Sequence, residues 1–290
     1  MEALNELGGV ATHAQLAARL TRAELQHAVT DGSIRQVARN RYVLATVDNA
    51  VATAHALTGV LCLTSAALHH GWAVKQPPDK PHVSVRRNRK LSLDQRGLAS
   101  IHRHDLHPED ICDGIVTSRE VTLLQCLRSL DEDEALCIAD SALRDGEQTL
   151  LRRVANIARG RGASRVREVA GAASAGAANP FESVTRAIAR TVPGLRATPQ
   201  RLITTVTPWA RPDLVDEDLR IVIEADSFEW HGNRRALRLD ARRYDLLVVD
   251  DWIVLRFAWE DVMFDQAWVR RVMIGAVELA RGRTKASADV

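Results

Sequence analysis

The chain has 290 residues, 46% hydrophobic and 26% charged, which is ordinary for a globular protein with room for two or three domains. Its formal net charge of +2 is close to neutral, so contacts with nucleic acid would have to come from local basic patches. Four separated cysteines without a C-x-x-C pair argue against a zinc site and a disulfide framework. Since the amino terminus also lacks a signal-peptide pattern, we expect a cytoplasmic protein.

Two capping boxes predict two short helices near the amino terminus. In Thr12–Gln15 and again in Thr21–Glu24, a threonine precedes a Gln or Glu by three residues, and apolar residues follow on one helical face. Residues 34–37 and 42–44 then predict a small β-hairpin. Helices followed by a two-stranded wing are typical of a winged helix-turn-helix, which we predict for residues 1–50.

Three arginines lie on this predicted wing, namely Arg35, Arg39 and Arg41, where contacts to DNA phosphates are expected. The segment resembles the amino-terminal domain of AbiEi-type antitoxins, through ATHAQL at 11–16 and GSIRQVARNRYVL at 32–44. The resemblance implies DNA as a partner. The alternative is a small helical adaptor whose arginines are merely solvated.

Residues 51–169 predict an α+β middle region. The uncharged run at 50–68 is too weakly hydrophobic for a membrane span and predicts a buried helix pair instead. Strands are expected at 81–85 and near 99–104, and a long helical region at 118–144. Between the strands lies the basic run RRNRK at 86–90, in which Arg86 and Arg87 are predicted DNA contacts; the alternative is a solvated turn.

The composition then shifts to Ala, Gly and Ser, so residues 170–180 predict a linker. A final domain is expected over residues 181–285. It includes RPDLVDEDLRIVIEAD at 211–226, where the β-rich residues before Glu224 predict a strand. Residues i and i+2 of a strand share a face, so Glu224 and Asp226 point the same way, and a hairpin would bring Asp213 beside them. Converging carboxylates predict a Mg²⁺ or Mn²⁺ site formed by these three residues.

This region resembles the Vsr-like branch of the restriction-endonuclease-like PD-(D/E)XK superfamily. The resemblance rests on Pro212-Asp213, on Glu224-Ala225-Asp226, on Trp230-His231 and on the ending DWIVLRFAWEDV at 251–262, which is similar to that of actinobacterial proteins with a Vsr-like domain. It implies a mixed sheet flanked by helices. The superfamily lysine that should follow the second acid is replaced by Asp226, a departure that Vsr-like members share.

The same resemblance assigns roles to three further residues. Glu182 occupies the usual first acidic position, near the start of a helix. His231 would transfer a proton, for which its ordinary pKa near neutrality is suited. Arg243, on a helix one turn after Asp240, would contact DNA or pair with that acid.

Together these features predict a metal-dependent DNA endonuclease directed to its substrate by a winged helix. One alternative is a non-enzymatic DNA-binding transcriptional regulator with an inactive nuclease fold. Another is an antitoxin-like protein that contacts a toxin-like partner protein or forms a homodimer. By spacing alone, the three acids could also belong to an ordinary acidic hairpin.

Overall fold

Three β-sheets with their flanking helices make the chain an α+β multidomain protein, in a computed structural model that describes residues 2–226 and 234–288. Two compact units are present. The first comprises Met1–Ser129 with Asn156–Ala158, and the second comprises Leu130–Ala155 with Arg159–Val290. No helix in the described part of the chain is both long and apolar enough to cross a membrane.

The first sheet of unit one has three antiparallel strands in the order β1-β3-β2. Both predicted capping boxes are present, with Thr12 and Thr21 each accepting a hydrogen bond from the main chain three residues on. Leu16 and Ile34 are among the buried residues that hold this subdomain together. Its elements are α1 (Glu2–Asn5), β1 (Val10–Thr12), α2 (His13–Ala17), α3 (Arg22–Thr30), β2 (Ile34–Ala38) and β3 (Arg41–Leu44).

The second sheet of unit one has five strands in the order β6-β5-β4-β8-β7. The predicted helix pair in the uncharged run is confirmed as α4 and α5, and both predicted strands are present as β5 and β6. The elements are α4 (Asn49–Ala56), β4 (Val60–Leu61), α5 (Leu63–His69), β5 (His82–Val85), α6 (Leu93–Gly97), β6 (Ser100–Arg103), a 3-10 turn (Pro108–Asp110), β7 (Ile111–Cys112), β8 (Val116–Thr117) and α7 (Arg119–Ser129).

The sheet of unit two has four strands in the order β12-β11-β10-β9. Strands β10 and β11 form an antiparallel hairpin, whereas β11 and β12 are parallel and are connected through α12. The elements are α8 (Glu132–Arg144), α9 (Gln148–Ile157), α10 (Ala163–Ala172), α11 (Pro180–Arg190), β9 (Thr198–Pro199), β10 (Leu214–Asp216), β11 (Ile221–Asp226), α12 (Arg234–Val249), β12 (Ile253–Ala258), α13 (Trp259–Phe264) and α14 (Gln266–Ala288).

A buried ion pair joins α8 to α11 inside unit two. Arg186 Nη2 lies 2.6 Å from each carboxylate oxygen of Asp140, and the two side chains are 6% and 0% exposed. Ser183 Oγ and the Ser174 amide also donate to Asp140, at 2.8 and 2.7 Å. These bonds satisfy the buried carboxylate. The segment 170–180, expected as the linker, therefore lies within unit two, where its main chain helps to hold this pair.

Candidate active site

Asp213 and Glu224 are held together at the open end of the β10–β11 hairpin. Leu214 pairs with Ile223, so the residue before β10 lies next to Glu224. The Asp213 amide donates to Glu224 Oε2 at 3.3 Å, and the Ala225 amide donates to Asp213 Oδ2 at 2.8 Å. The predicted return of Asp213 to the side of Glu224 is thus confirmed, and these main-chain bonds fix both carboxylates in place.

Gln200 connects this pair to the predicted first acid. Its side-chain Nε2 donates to Asp213 Oδ1 at 3.2 Å and lies 3.5 Å from Glu182 Oε2. Its main-chain N–H donates to the Asp213 carbonyl at 3.0 Å. The φ of Gln200 is 55°, in the left-handed region, which costs a non-glycine residue roughly 1 kcal/mol. The hydrogen bonds to Asp213 hold Gln200 in this conformation.

Glu182 lies in the first turn of α11 and also caps that helix. Asn179 Nδ2 donates to Glu182 Oε1 at 2.9 Å, and the Ala178 amide donates to Oε2 at 2.8 Å. Because both of its oxygens already accept hydrogen bonds, the Glu182 carboxylate is ordered. The Gln200 side chain links it to the Asp213 carboxylate, so Glu182 is a further acid of the cluster.

Arg243 supplies a positive charge to the buried Glu224. Arg243 Nη2 lies 3.2 Å from Glu224 Oε1 and 3.4 Å from Asp240 Oδ1, so the predicted pairing with Asp240 is present. Glu224 is only 6% exposed, and among the described residues its Oε1 has an ion-pair distance to Arg243 but no hydrogen bond of good geometry. The same Nη2 donates to the Tyr244 hydroxyl at 2.9 Å. The one arginine is thus shared among several acceptors and only partly compensates Glu224.

Asp226 follows Glu224 by two residues on β11 but has its own partner. Arg256, which is opposite Glu224 on the parallel strand β12, forms a close ion pair with the Asp226 carboxylate. The Arg256 guanidinium also lies over the Tyr244 ring, 4.3 Å from its centroid. Strand β12 therefore orders Asp226, and the Tyr244 side chain contacts both arginines of the site.

Burial determines the electrostatics of the acidic cluster. Burial, and then the neighbouring Asp213 carboxylate, raise the pKa of Glu224 from 4.5 to about 7. Burial also raises the pKa of Asp213 and that of Glu182. Adjacent buried carboxyl groups resist double ionisation, and a cation placed between them favours the ionised forms. The acids of this cluster therefore hold their protons to a higher pH than exposed carboxyl groups do.

Among the described residues, fewer potential metal ligands come together than the sequence predicts. Within residues 2–226 and 234–288, no three His, Cys, Asp or Glu side chains form a metal-binding group. Asp213 and Glu224 are adjacent, while Asp226 is engaged by Arg256. The predicted Trp230 and His231 lie outside the described residues.

The arginines of the predicted wing have different surroundings. Arg39 is exposed at the tip of the β2–β3 hairpin. Arg35 Nη2 donates to the Val47 carbonyl at 3.1 Å, and Arg41 Nη1 lies 3.3 Å from His55 Nδ1. Two of the three guanidinium groups therefore contact their own unit, and Arg39 is the one presented to solvent.

The two arginines predicted as DNA contacts in the basic turn after β5 also differ in their surroundings. Arg86 is exposed and borders a cavity that Arg41 also lines. Arg87 pairs with Asp105 at 3.4 Å, with both side chains largely exposed. An exposed pair of this kind is weak, so it leaves the Arg87 charge accessible to a stronger anion.

Three residues of the site were not predicted from the sequence, namely Gln200, Tyr244 and Arg256. Gln200 has no motif around it, and only the pairing of β9 with β10 brings it to Asp213. Tyr244 and Arg256 stand inside segments quoted for the resemblance, next to Arg243 and within VLRF. A signal for Arg256 was its charge in an otherwise apolar strand segment.

No protein-family model matches the chain, and no curated protein sequence matches it. Among solved structures, the chain is similar to the RV2827C protein from Mycobacterium tuberculosis, with 15% identity and a TM-score of 0.35. This match covers 61% of the present chain and 75% of that chain.

Proposed function

We propose that this protein is a metal-dependent endonuclease that hydrolyses phosphodiester bonds of DNA. The observation that carries the proposal is the Asp213–Glu224 pair, which two main-chain amides hold together in a buried setting that raises both pKa values. Perturbed, converging carboxylates on an ordered scaffold are typical of catalytic sites. The proposal includes a Vsr-like, restriction-endonuclease-like fold for the carboxy-terminal part of unit two.

The donor set fits a hard divalent cation. Mg²⁺ is usually bound by one or two carboxylates and completes its octahedron with water and substrate phosphate oxygens. Asp213 and Glu224 supply the two carboxylates, and within residues 2–226 and 234–288 the Oε1 atom of Glu224 has no hydrogen-bond partner of good geometry. When bound, Mg²⁺ or Mn²⁺ would lower the pKa of a water molecule and stabilise negative charge on the phosphate.

The surrounding residues have separate roles in this proposal. Gln200 orients the Asp213 carboxylate, and Glu182 adds a further acid beside it. Asp226 is the third expected ligand, and Arg256 holds its carboxylate in position. His231 is the proposed proton-transfer group. Arg243 partly compensates the charge of Glu224, and its guanidinium group is of a type that binds phosphate oxygens.

Unit one is proposed to bind the DNA. Its helices α2 and α3, followed by the β2–β3 hairpin, have the order of the winged helix that the resemblance to AbiEi-type antitoxins implies. Arg39 at the hairpin tip is the proposed phosphate contact of the wing, with Arg86 and Arg87 as further basic positions. Cytoplasmic location is part of the same proposal, since the substrate is intracellular DNA.

A plasmid-nicking assay tests the catalytic proposal. Supercoiled DNA is incubated with Mg²⁺, Mn²⁺ or EDTA and with wild-type protein, Asp213→Asn or the matched control Asp218→Asn. Asp218 is an exposed acid of the same hairpin and has no place in the site. We expect metal-dependent nicking by the wild type and the control, and its loss in Asp213→Asn with duplex affinity nearly unchanged.

The Arg243–Glu224 pair also favours a second candidate, a DNA-binding regulator or antitoxin-like protein in which the nuclease site is silent. In that case the ion pair with Arg243 would remain on Glu224 permanently and leave no place for a metal ion. The assay separates the two functions. Salt-sensitive DNA binding without cleavage under any of the metal conditions would reject the enzyme and leave the regulator.

A further inference from the structure

A cavity of about 510 Å³ lies within unit one, remote in sequence from the carboxylate cluster. Its polar lining is cationic or neutral, with arginines from strand β3 and from the turn after β5 and histidines from α4 and from the residue after β6. We call it the cationic cavity, and its basic lining residues are Arg41, His55, Arg86, Arg89 and His104. Among the described residues that line it, none carries a carboxylate.

The arginines of the cationic cavity are close enough to repel one another. Burial, and then the charge of Arg89, lower the pKa of Arg41. Arg89 Nε is inaccessible to solvent and has no hydrogen-bond partner in the part of the chain that the structure describes. Like charges gathered in a partly desolvated cavity are unfavourable unless an anion is bound between them.

The histidine beside Arg41 does not neutralise the charge of that arginine. His55 Nε2 lies 3.0 Å from the Ala11 carbonyl, so this nitrogen carries the proton and donates. Its Nδ1 therefore accepts from Arg41 Nη1 at 3.3 Å, and the ring is neutral. Burial lowers the pKa of His55, in agreement with the neutral form. The Arg41 charge is thus oriented by His55 but is not neutralised.

The turn that carries Arg86 and Arg89 is fixed by its own hydrogen bonds. Arg103 Nη1 on β6 donates to the Arg87 carbonyl at 3.0 Å and to the Arg89 carbonyl at 2.9 Å. The Arg89 amide also donates to the Arg86 carbonyl at 2.9 Å. The cationic groups are therefore presented from an ordered backbone, which reduces the entropy lost when a ligand binds.

We propose that the cationic cavity binds the phosphate group of a nucleotide-sized ligand. Guanidinium groups match phosphate oxygens in geometry and charge, and a cavity of this volume is in the range of small-ligand sites. Val60, Leu106 and Ile111 give it an apolar wall that suits a base or another organic body. The phosphate could be that of a free nucleotide or that of a nucleic-acid strand. The proposal does not depend on nuclease activity.

Calorimetric titrations of the full chain, in EDTA, test the proposal. The probes are a nucleoside monophosphate, the matching unphosphorylated nucleoside, inorganic phosphate and a short DNA duplex. Arg86→Gln and Arg89→Gln are compared with Arg96→Gln, an exposed arginine of α6 in the same unit that does not line the cavity. We expect the monophosphate to bind and the nucleoside not to bind. Each cavity variant should bind the monophosphate about tenfold more weakly or worse, as expected for the loss of a charge-assisted hydrogen bond. Arg96→Gln should change the affinity by less than about twofold.

The two phosphate sources give different outcomes. In one outcome, the monophosphate does not bind, while both cavity variants reduce the affinity for the duplex about tenfold more than Arg96→Gln does. In that case the bound phosphate belongs to nucleic acid, and the proposed site is supported. If neither ligand distinguishes the cavity variants from Arg96→Gln, the proposal is wrong. Since Arg86 is exposed, its variant should retain the wild-type melting temperature. Asp213→Asn should bind the monophosphate like the wild type, so failure of the nuclease proposal is recognised separately.

Discussion

Replacement of Glu224 by glutamine should stabilise the protein in alkaline solution and have little effect in acid. Glu224 is 6% exposed, and its pKa is raised from 4.5 to about 7 by burial and by Asp213. A carboxyl group whose pKa is higher in the folded state stabilises the fold fully below the unfolded pKa. That contribution is lost as the pH rises through the folded pKa. Glutamine has nearly the same shape and does not ionise, so it avoids the loss.

The size of the effect follows from the two pKa values. Between about pH 4.5 and pH 7 the wild type loses stability relative to Glu224→Gln, by about 1.4 kcal/mol for each pH unit. The accumulated difference is roughly 3 kcal/mol above about pH 7.5.

Urea unfolding of both proteins between pH 4 and pH 9, followed by circular dichroism, measures this difference. Glu217→Gln is the matched control, because Glu217 lies in the same hairpin, is exposed and pairs with Arg201 at 3.1 Å. Its effect should be within about 0.5 kcal/mol and nearly independent of pH. Divalent metal supplies a second comparison at pH 8. At about a hundredfold excess over its dissociation constant, Mg²⁺ should stabilise the wild type by about 2.7 kcal/mol and Glu224→Gln much less.

Two results would refute the reasoning on Glu224. A stability difference that stays constant from pH 4 to pH 9 would show that Glu224 has an ordinary pKa in the folded protein. If Glu224→Gln is less stable than the wild type at pH 8 in EDTA, Arg243 compensates the Glu224 carboxylate fully, and a bound cation is not needed to stabilise its charge.

Three further predictions concern the fold and the DNA contact. Asp140→Ala should lower the free energy of unfolding by about 3–5 kcal/mol because it leaves Arg186 charged and buried without its acid, whereas Asp140→Ala with Arg186→Leu should lose less in the same urea titration; an equal loss would contradict the ion-pair argument. Thr21→Ala should cost about 1 kcal/mol through its cap on α3, measured by thermal unfolding, and no change would mean that the cap is dispensable. Arg39→Gln should weaken duplex binding and reduce the log–log salt slope by about one, and an unchanged slope would remove Arg39 from the interface.

Local patterns predicted much of the secondary structure. The capping boxes at Thr12 and Thr21, the β2–β3 hairpin and the return of Asp213 beside Glu224 all depend on residues a few positions apart. Such features are decided by turn geometry, helix caps and strand alternation, which the sequence contains directly. The α4–α5 helix pair was likewise predicted by composition over a short window.

Long-range contacts were not predicted. The buried pair of Asp140 and Arg186 joins helices through residues 46 positions apart, and neither residue belongs to a motif with a recognised chemistry. It joins the Leu130–Ala155 part of unit two to the later part that carries the carboxylate cluster. A charged residue in a sequence can be solvated or buried with a partner, and only the tertiary arrangement of two distant segments distinguishes these cases.

The sequence by itself determined which acids could converge, because strand periodicity and a short hairpin bring Asp213 and Glu224 together locally. The tertiary structure decided how those acids behave. It placed Arg243 against Glu224 and Arg256 against Asp226, and it buried the cluster deeply enough to raise the pKa of Glu224 to about 7. Burial and charge compensation depend on groups brought in from other strands and helices, so they arise only when the chain has folded.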